Sequence, residues 1–171
     1  MKSNTITIRP LRQSDTSQLI KLANNQKIVD HLLDYFPSPY RKIDALSFIE
    51  KSIPLDPLDT FAITNDNQFV GIISLNKKED IYRYTAELGY WVGQPYWGNG
   101  FATKAIDEIT LFGFEEMGLH RIYAHVFDFN TVSMRVLEKN KYQKEAILQN
   151  GAIKKGAVVD IHLYARLRPS D

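Results

Sequence analysis

The chain has 171 residues with 21 Lys and Arg against 20 Asp and Glu, a net charge of +1, which excludes the concentrated basic surface needed for non-specific nucleic-acid binding. With 44% hydrophobic and 24% charged residues it has the balance of a folded globular protein, and its length suits a single domain over residues 1–171 without repeat, linker or low-complexity tract. The lack of cysteine excludes disulfides and thiol chemistry. Met1–Ile6 holds no apolar run of signal-peptide length, and no segment approaches the roughly 20 residues that span a bilayer, so the expectation is a cytoplasmic protein with no membrane partner.

Ile6 and Ile8 alternate with polar neighbours from Thr5 to Arg9, and Pro10 closes the run, which predicts a first strand. Ser14 or Asp15 caps a helix with Leu19, Ile20, Leu22 and Ala23 at helical spacing, and a short second helix is expected from about Gln26 to Leu33. The prolines of Asp34–Tyr40 bias their predecessors toward extended backbone, so this segment reads as a loop. Its aromatics Tyr35, Phe36 and Tyr40 are expected to be exposed and could serve substrate or a second subunit, so a monomer and a homodimer both fit. Ile43, Ala45, Leu46, Phe48, Ile49 and Ile53 form the apolar stripe of a helix ending at Pro54. Pro54 and Pro57 lead into a strand at Thr60–Thr64, Asn65–Gln68 supplies turn chemistry, and Phe69–Leu75 completes a hairpin. After a charged turn at Lys77–Ile81 comes the central strand, Tyr82–Val92, antiparallel to its predecessor.

That strand stops at Pro95 and passes through Gly98 and Gly100 into a long helix reaching about Met117. Ala102, Ala105, Ile106, Ile109, Phe112 and Gly113 share one face of the helix, and Gly118 sits at the C-cap position. Glycine leaves backbone N–H groups uncovered and permits positive φ, so the N–H groups of Gly98 to Thr103 can converge on an anion, implying a phosphate-bearing ligand. Two common nucleotide signatures do not fit: the Lys-Ser/Thr pair of a P-loop is missing, and the third glycine of a dinucleotide fingerprint falls at Thr103. His120–Phe127 reads as a strand parallel to the central one. Asn130 caps a helix with Val132, Val136 and Leu137 inside, and two strands, Tyr142–Gln149 and Val158–Leu167, form a hairpin about Gly151–Gly156. His31, His120, His125 and His162 lack metal-binding spacing and read as structural, while Asp160 and His162 share a strand face and could hydrogen-bond.

The segments Phe36–Tyr40, Glu87–Val92, Tyr96–Ala105 and Asn130–Lys139 together resemble the GCN5-related N-acetyltransferase superfamily and its ribosomal-protein N-terminal acetyltransferase (RimJ/RimL-like) branch. The resemblance implies a mixed α/β fold: about seven mostly antiparallel strands, flanked by helices, with a V-shaped splay that holds acetyl-CoA and no metal. Trp97, Gly98, Asn99, Gly100, Phe101, Ala102 and Thr103 would hold the pyrophosphate, and the strand edge at Trp91 and Val92 would pair with the amide-rich pantetheine. Asn130 would bind the pantetheine arm, cap its helix, or do both.

Acetyl transfer to an amine requires a neutral nucleophile, a polarised carbonyl and a proton for the departing thiolate. The resemblance implies a backbone N–H near Val92 for the carbonyl. Many superfamily members carry a tyrosine for the thiolate where this chain has Leu137; the resembling branch implies Ser133 instead, which could equally be a second capping hydroxyl. Glu87, flanked by aromatics that could raise its pKa by desolvation, is the candidate base; the alternative is a cross-strand ion pair with Arg83 or Lys77. Lys141 stands where the family usually has glycine, so that turn could differ. Without cysteine, transfer is expected to be direct, in a ternary complex. The leading acceptor is a protein N-terminal α-amine, bound between the Asp34–Tyr40 loop and the Gly151–Gly156 hairpin. A polyamine, an aminoglycoside, and a non-catalytic acetyl-CoA sensor remain as alternatives.

Overall fold

The computed structural model describes residues 5–54 and 58–170, so Met1–Asn4 and the part expected of Pro57 lie outside the described residues. Its seven strands are β1 Ile6–Pro10, β2 Thr60–Asn65, β3 Gln68–Lys77, β4 Thr85–Val92, β5 Arg121–Phe127, β6 Gln143–Lys154 and β7 Ala157–Leu167. They form one sheet in the order β1-β2-β3-β4-β5-β7-β6. All neighbours are antiparallel except β4 and β5, which are joined through the helix α4, Phe101–Glu115. That parallel contact lasts only from Thr85↔Arg121 to Glu87↔Tyr123. Beyond Glu87 the two strands part, and the remaining length of β4 has a neighbour only in β3.

Apolar alternation places the layers. Leu88 and Val92 of β4 and Ile122, Ala124 and Val126 of β5 share a core with Ala105, Ile106 and Ile109 of α4 and with Leu137 of α5, Thr131–Lys139. Gly113 lets α4 lie close to the sheet, because a Cβ there would come within 2.8 Å of Leu75 Cδ1 and 2.9 Å of Ile122 Cδ1. The opposite face is covered by α1, Thr16–Ala23, and α3, Lys42–Ser52, through Leu19, Leu22, Ala45 and Ile49 on Ala62, Phe69 and Ile72. The short α2, Gln26–Val29, follows α1.

Several sequence expectations are corrected by tertiary contacts. Asp15 does not cap α1 with its side chain; its carboxylate accepts from the Arg12 N–H and pairs with Arg9 at 2.7 Å, fastening the end of β1. α2 ends at Val29, leaving His31 in a turn. Tyr40 is buried, stacked on Phe36 and held by Asn24 at both its backbone N–H and its carbonyl. Ile43, Ile53 and Val132 are exposed, since the sheet faces only the narrower stripes around Ala45 and Ile49 and around Met134 and Leu137. Tyr82 lies in a single 3-10 turn before β4. Gly151 lies inside β6, where the register shifts between Leu148 and Ala152, and the hairpin turn is only Lys155–Gly156. Both turn residues have positive φ, 48° and 81°, as a two-residue hairpin with right-handed strand twist requires. Lys141 keeps the left-handed conformation, φ 63°, so the turn retains the geometry that suits glycine, at a cost of roughly 1–2 kcal/mol.

Candidate active site

The turn between β4 and α4 is held open by its own side chains. Trp97 Nε1 donates to the Val92 carbonyl at 2.6 Å and Asn99 Nδ2 donates to the Trp97 carbonyl at 2.9 Å. Gly98 and Gly100 have φ 79° and 78°, and a Cβ at either would meet nothing within 4 Å, so both backbones face open space. No side chain caps α4 at Gly100, which leaves its first-turn N–H groups and the positive end of the helix dipole for an anion. Beside them is an open recess of 480 Å³ lined by Gly100, Thr103, Lys104, Asp107, Lys139 and Asn140. The side chain of Phe101 is buried in the core, so this residue can contribute only backbone. Trp91 likewise turns its ring to the α1–α3 side, edge-on to Phe69.

Across the splay, Ser133 comes to the central strand. Asn130 Oδ1 accepts from the Ser133 N–H at 3.2 Å, capping α5 as expected. The Ser133 hydroxyl, however, does not cap: it lies 2.6 Å from the Tyr90 hydroxyl. Burial pushes the Tyr90 phenol up to about 12, so it keeps its proton and can donate to Ser133 Oγ, freeing the serine proton to point elsewhere. Leu137, at the position of the superfamily tyrosine, is fully buried and offers no hydroxyl. Tyr90 was hidden in the sequence by its alternation with Leu88 and Val92; the available signal was that a buried phenol needs a polar partner.

Glu87 sits on the last paired rung of β4 and β5. Its Oε1 is 2.8 Å from His125 Nδ1 and its Oε2 is 2.9 Å from Lys78 Nζ. The expected rise in its pKa is reversed. The hydrogen bond from His125 and then that from Lys78 outweigh desolvation and hold the carboxyl down at about 2. The ion pair foreseen with Arg83 or Lys77 is made by Lys78 instead, and His125, read from the sequence as structural, belongs to a carboxylate–histidine cluster. Tyr123 adds its ring beneath Lys78, 5.7 Å from centroid to Nζ. Asp160 accepts from the Asn150 N–H and does not reach His162. Among the described residues no three His, Asp or Glu side chains gather as a metal-binding group, and no helix there is long and apolar enough to cross a membrane.

On the same side as Glu87, the β6–β7 hairpin is fastened to the loop after α2. Lys154, 7% exposed, donates to the Leu32 carbonyl and to Asp34 Oδ1, both at 2.6 Å, and Lys155 pairs with Asp30. These contacts hold Asp34 and Asp30 below the ordinary carboxylate range. A recess of 210 Å³ lies between Gln26, Val29, Leu33, Phe36 and Lys154.

The sheet splits at its one parallel junction, with uncovered helix N–H groups at one end and a hydroxyl pair across the gap, an arrangement with room for an extended ligand that carries an anion. Residues 5–143 match the family described as Acetyltransferase (GNAT) domain, and the chain belongs to that family. It is an acetyl-CoA-dependent N-acetyltransferase with the seven-stranded fold of its structural neighbours. It is 36% identical over 83 residues to p20, an uncharacterized N-acetyltransferase of Bacillus licheniformis, a match spanning 48% of this chain and 47% of that protein. The ribosomal-protein-serine acetyltransferase of Escherichia coli is 28% identical over 107 residues, 63% of this chain and 59% of that one. The spermidine N(1)-acetyltransferase of Vibrio cholerae is 26% identical over 148 residues, 85% and 83% of the two chains. Among solved structures, RimL, a ribosomal L7/L12 α-N-protein acetyltransferase in complex with coenzyme A, superposes with TM-score 0.85 at 20% identity over 95% and 94% of the chains. Mycobacterium smegmatis RimJ with CoA-disulfide gives 0.83 at 26% identity over 95% and 81%.

Proposed function

We propose that the enzyme, a single domain over residues 1–171 acting in the cytoplasm, transfers acetyl directly to the α-amine of a protein N-terminus. Bound acetyl-CoA supplies the activated acetyl group as a thioester. The N–H groups of Gly98, Asn99, Gly100, Phe101, Ala102 and Thr103 hold the pyrophosphate, aided by Lys104 and Lys139 beside the recess, whereas the Trp97 N–H, expected to join them, is spent on the Gln94 carbonyl at 3.1 Å. The β4 edge at Trp91 and Val92 pairs with pantetheine, although the Val92 carbonyl is already engaged by Trp97. Asn130 uses its oxygen on the helix cap and can offer Nδ2 to the same arm. Ser133 presents its proton to the sulfur, with Tyr90 replacing it as donor.

The observation that carries the choice of acceptor is charge. Asp30, Asp34 and Glu87 lie on the acceptor side, and each is already paired with a cation of the chain. A polyamine needs several carboxylates free to receive its ammonium groups; a peptide N-terminus brings one charge and needs a groove. The likeness to the ribosomal-protein-serine acetyltransferase of Escherichia coli supports the same choice. Coenzyme A release, measured with N-terminal peptides, spermidine, spermine and aminoglycosides, tests it. Peptides are expected to give the highest kcat/KM, with mass spectrometry placing the acetyl group on the α-amine. A polyamine exceeding every peptide overturns the reading.

A further inference from the structure

We infer that His125 is the group that takes the proton of the acceptor amine, and that Glu87 is its positioning residue. This rests on the reading of the β4–β5 gap as the place of acetyl transfer. His125 lies on β5 two residues past Tyr123, the last residue paired with β4, so its ring stands where the strands have begun to part. From there it reaches back across the opening to Glu87 through Nδ1, and 40% of its side chain is exposed.

The bond to Glu87 decides the tautomer. An ionised carboxylate only accepts hydrogen bonds, so Nδ1 must carry the hydrogen and Nε2 is left with the basic lone pair. Glu87 itself is a poor base, because His125 and Lys78 together hold it down at about 2. The other polar groups nearby do not compete. Lys78 is kept cationic by Glu87, Tyr90 keeps its proton, and Tyr123 meets His125 with its ring edge, centroids 5.4 Å apart. β7 places Leu163 opposite His125, and the nearest further charge on β5, Arg121, is engaged by Glu145 of β6. The charged and titratable neighbours of the imidazole are therefore Glu87, Lys78 and Tyr123.

The proton balance then closes. The acceptor ammonium gives one proton to His125 Nε2, which releases it to solvent. The freed lone pair forms the N–C bond to the acetyl carbon, the C–S bond breaks with its electron pair going to sulfur, which takes the Ser133 proton; the nitrogen gives its second proton to the regenerated His125 Nε2, and solvent restores the proton of Ser133. Loss of a general base costs about 10²–10⁴ in rate.

The test uses H125N, whose amide can still donate to Glu87 but has no basic nitrogen, together with E87Q and H125A. At pH 7, H125N is expected to lower kcat about 10²-fold with acetyl-CoA affinity unchanged by calorimetry. Its pH–rate profile should also differ in shape from that of the native enzyme, and added imidazole should restore part of the activity of H125A. Nitrogen-15 NMR of the native protein should report Nδ1–H at His125, moving toward Nε2–H in E87Q. A native pH profile and rate in H125N, or Nε2–H in the native protein, overturns the inference while leaving acetyl-CoA binding and peptide acetylation standing. A native enzyme that binds acetyl-CoA but acetylates no amine overturns the reading of the gap and this inference with it.

Discussion

The two sides of the β4–β5 splay are built by different means. The side proposed for acetyl-CoA is made of backbone: a turn with two left-handed glycines, an uncapped helix start and a strand edge that β5 leaves, all within residues 88–103. The side proposed for the acceptor is made of side chains meeting from distant parts of the chain, Lys154 on the α2 loop, Lys155 on Asp30, and Lys78 and His125 on Glu87. A backbone site recognises what every acetyl-CoA shares, and its geometry tolerates few changes. A side-chain site can be re-paired residue by residue, so acceptor choice can diverge while the cofactor stays the same.

If this division is right, substitutions on the two sides separate in their kinetics. Ser133→Ala should have the largest effect, lowering kcat about 10²-fold with little change in acetyl-CoA affinity; equal losses in kcat and affinity would mean the hydroxyl serves binding. Gly100→Val comes next. A branched residue in the left-handed region costs roughly 1–2 kcal/mol, so the dissociation constant for acetyl-CoA should rise about tenfold while the acceptor KM stays put; calorimetry and steady-state kinetics read the two. Lys154→Met should act in the opposite sense, raising the acceptor KM with acetyl-CoA affinity intact. Loss of its hydrogen bonds costs about 1–3 kcal/mol, or roughly 3–10 °C in melting temperature. A rise in the acetyl-CoA dissociation constant in this variant would break the comparison.

The smallest effect is in acid. Glu87 is lowered from its ordinary 4.5 to about 2 in the folded protein, so the stability it contributes is fully present above about 4.5 and is lost as pH falls toward 2. The difference in thermal stability between the native protein and E87Q should be flat near neutrality and shrink across that window. A difference that stays constant down to pH 2 would mean the Lys78 and His125 contacts do not persist in solution.

Much of the fold, including the turn and helix start proposed for acetyl-CoA, could be read from the residues in order. Strand alternation, the Pro95 stop, the glycines and the Asn130 cap are local devices, each acting within a few residues, so their meaning survives without a partner in view. What remained out of reach came from pairings across long separations. Glu87 next to aromatics in the sequence suggested a raised pKa, but β5 delivers His125 and the end of β3 delivers Lys78, and the sign reverses. Tyr90 has no assigned role in the sequence; α5 gives it one by bringing Ser133 to its hydroxyl. Tyr40 was expected at the surface until Asn24 and Phe36 enclosed it. The sequence by itself determined the strands, the helices and the glycine turn, because these follow from backbone propensity and short-range spacing, and its motifs carried the resemblance that implied the family and acetyl-CoA. Only the tertiary structure decided which groups carry charge and protons at the splay, because that depends on which side chains the parting strands bring within 3 Å of one another.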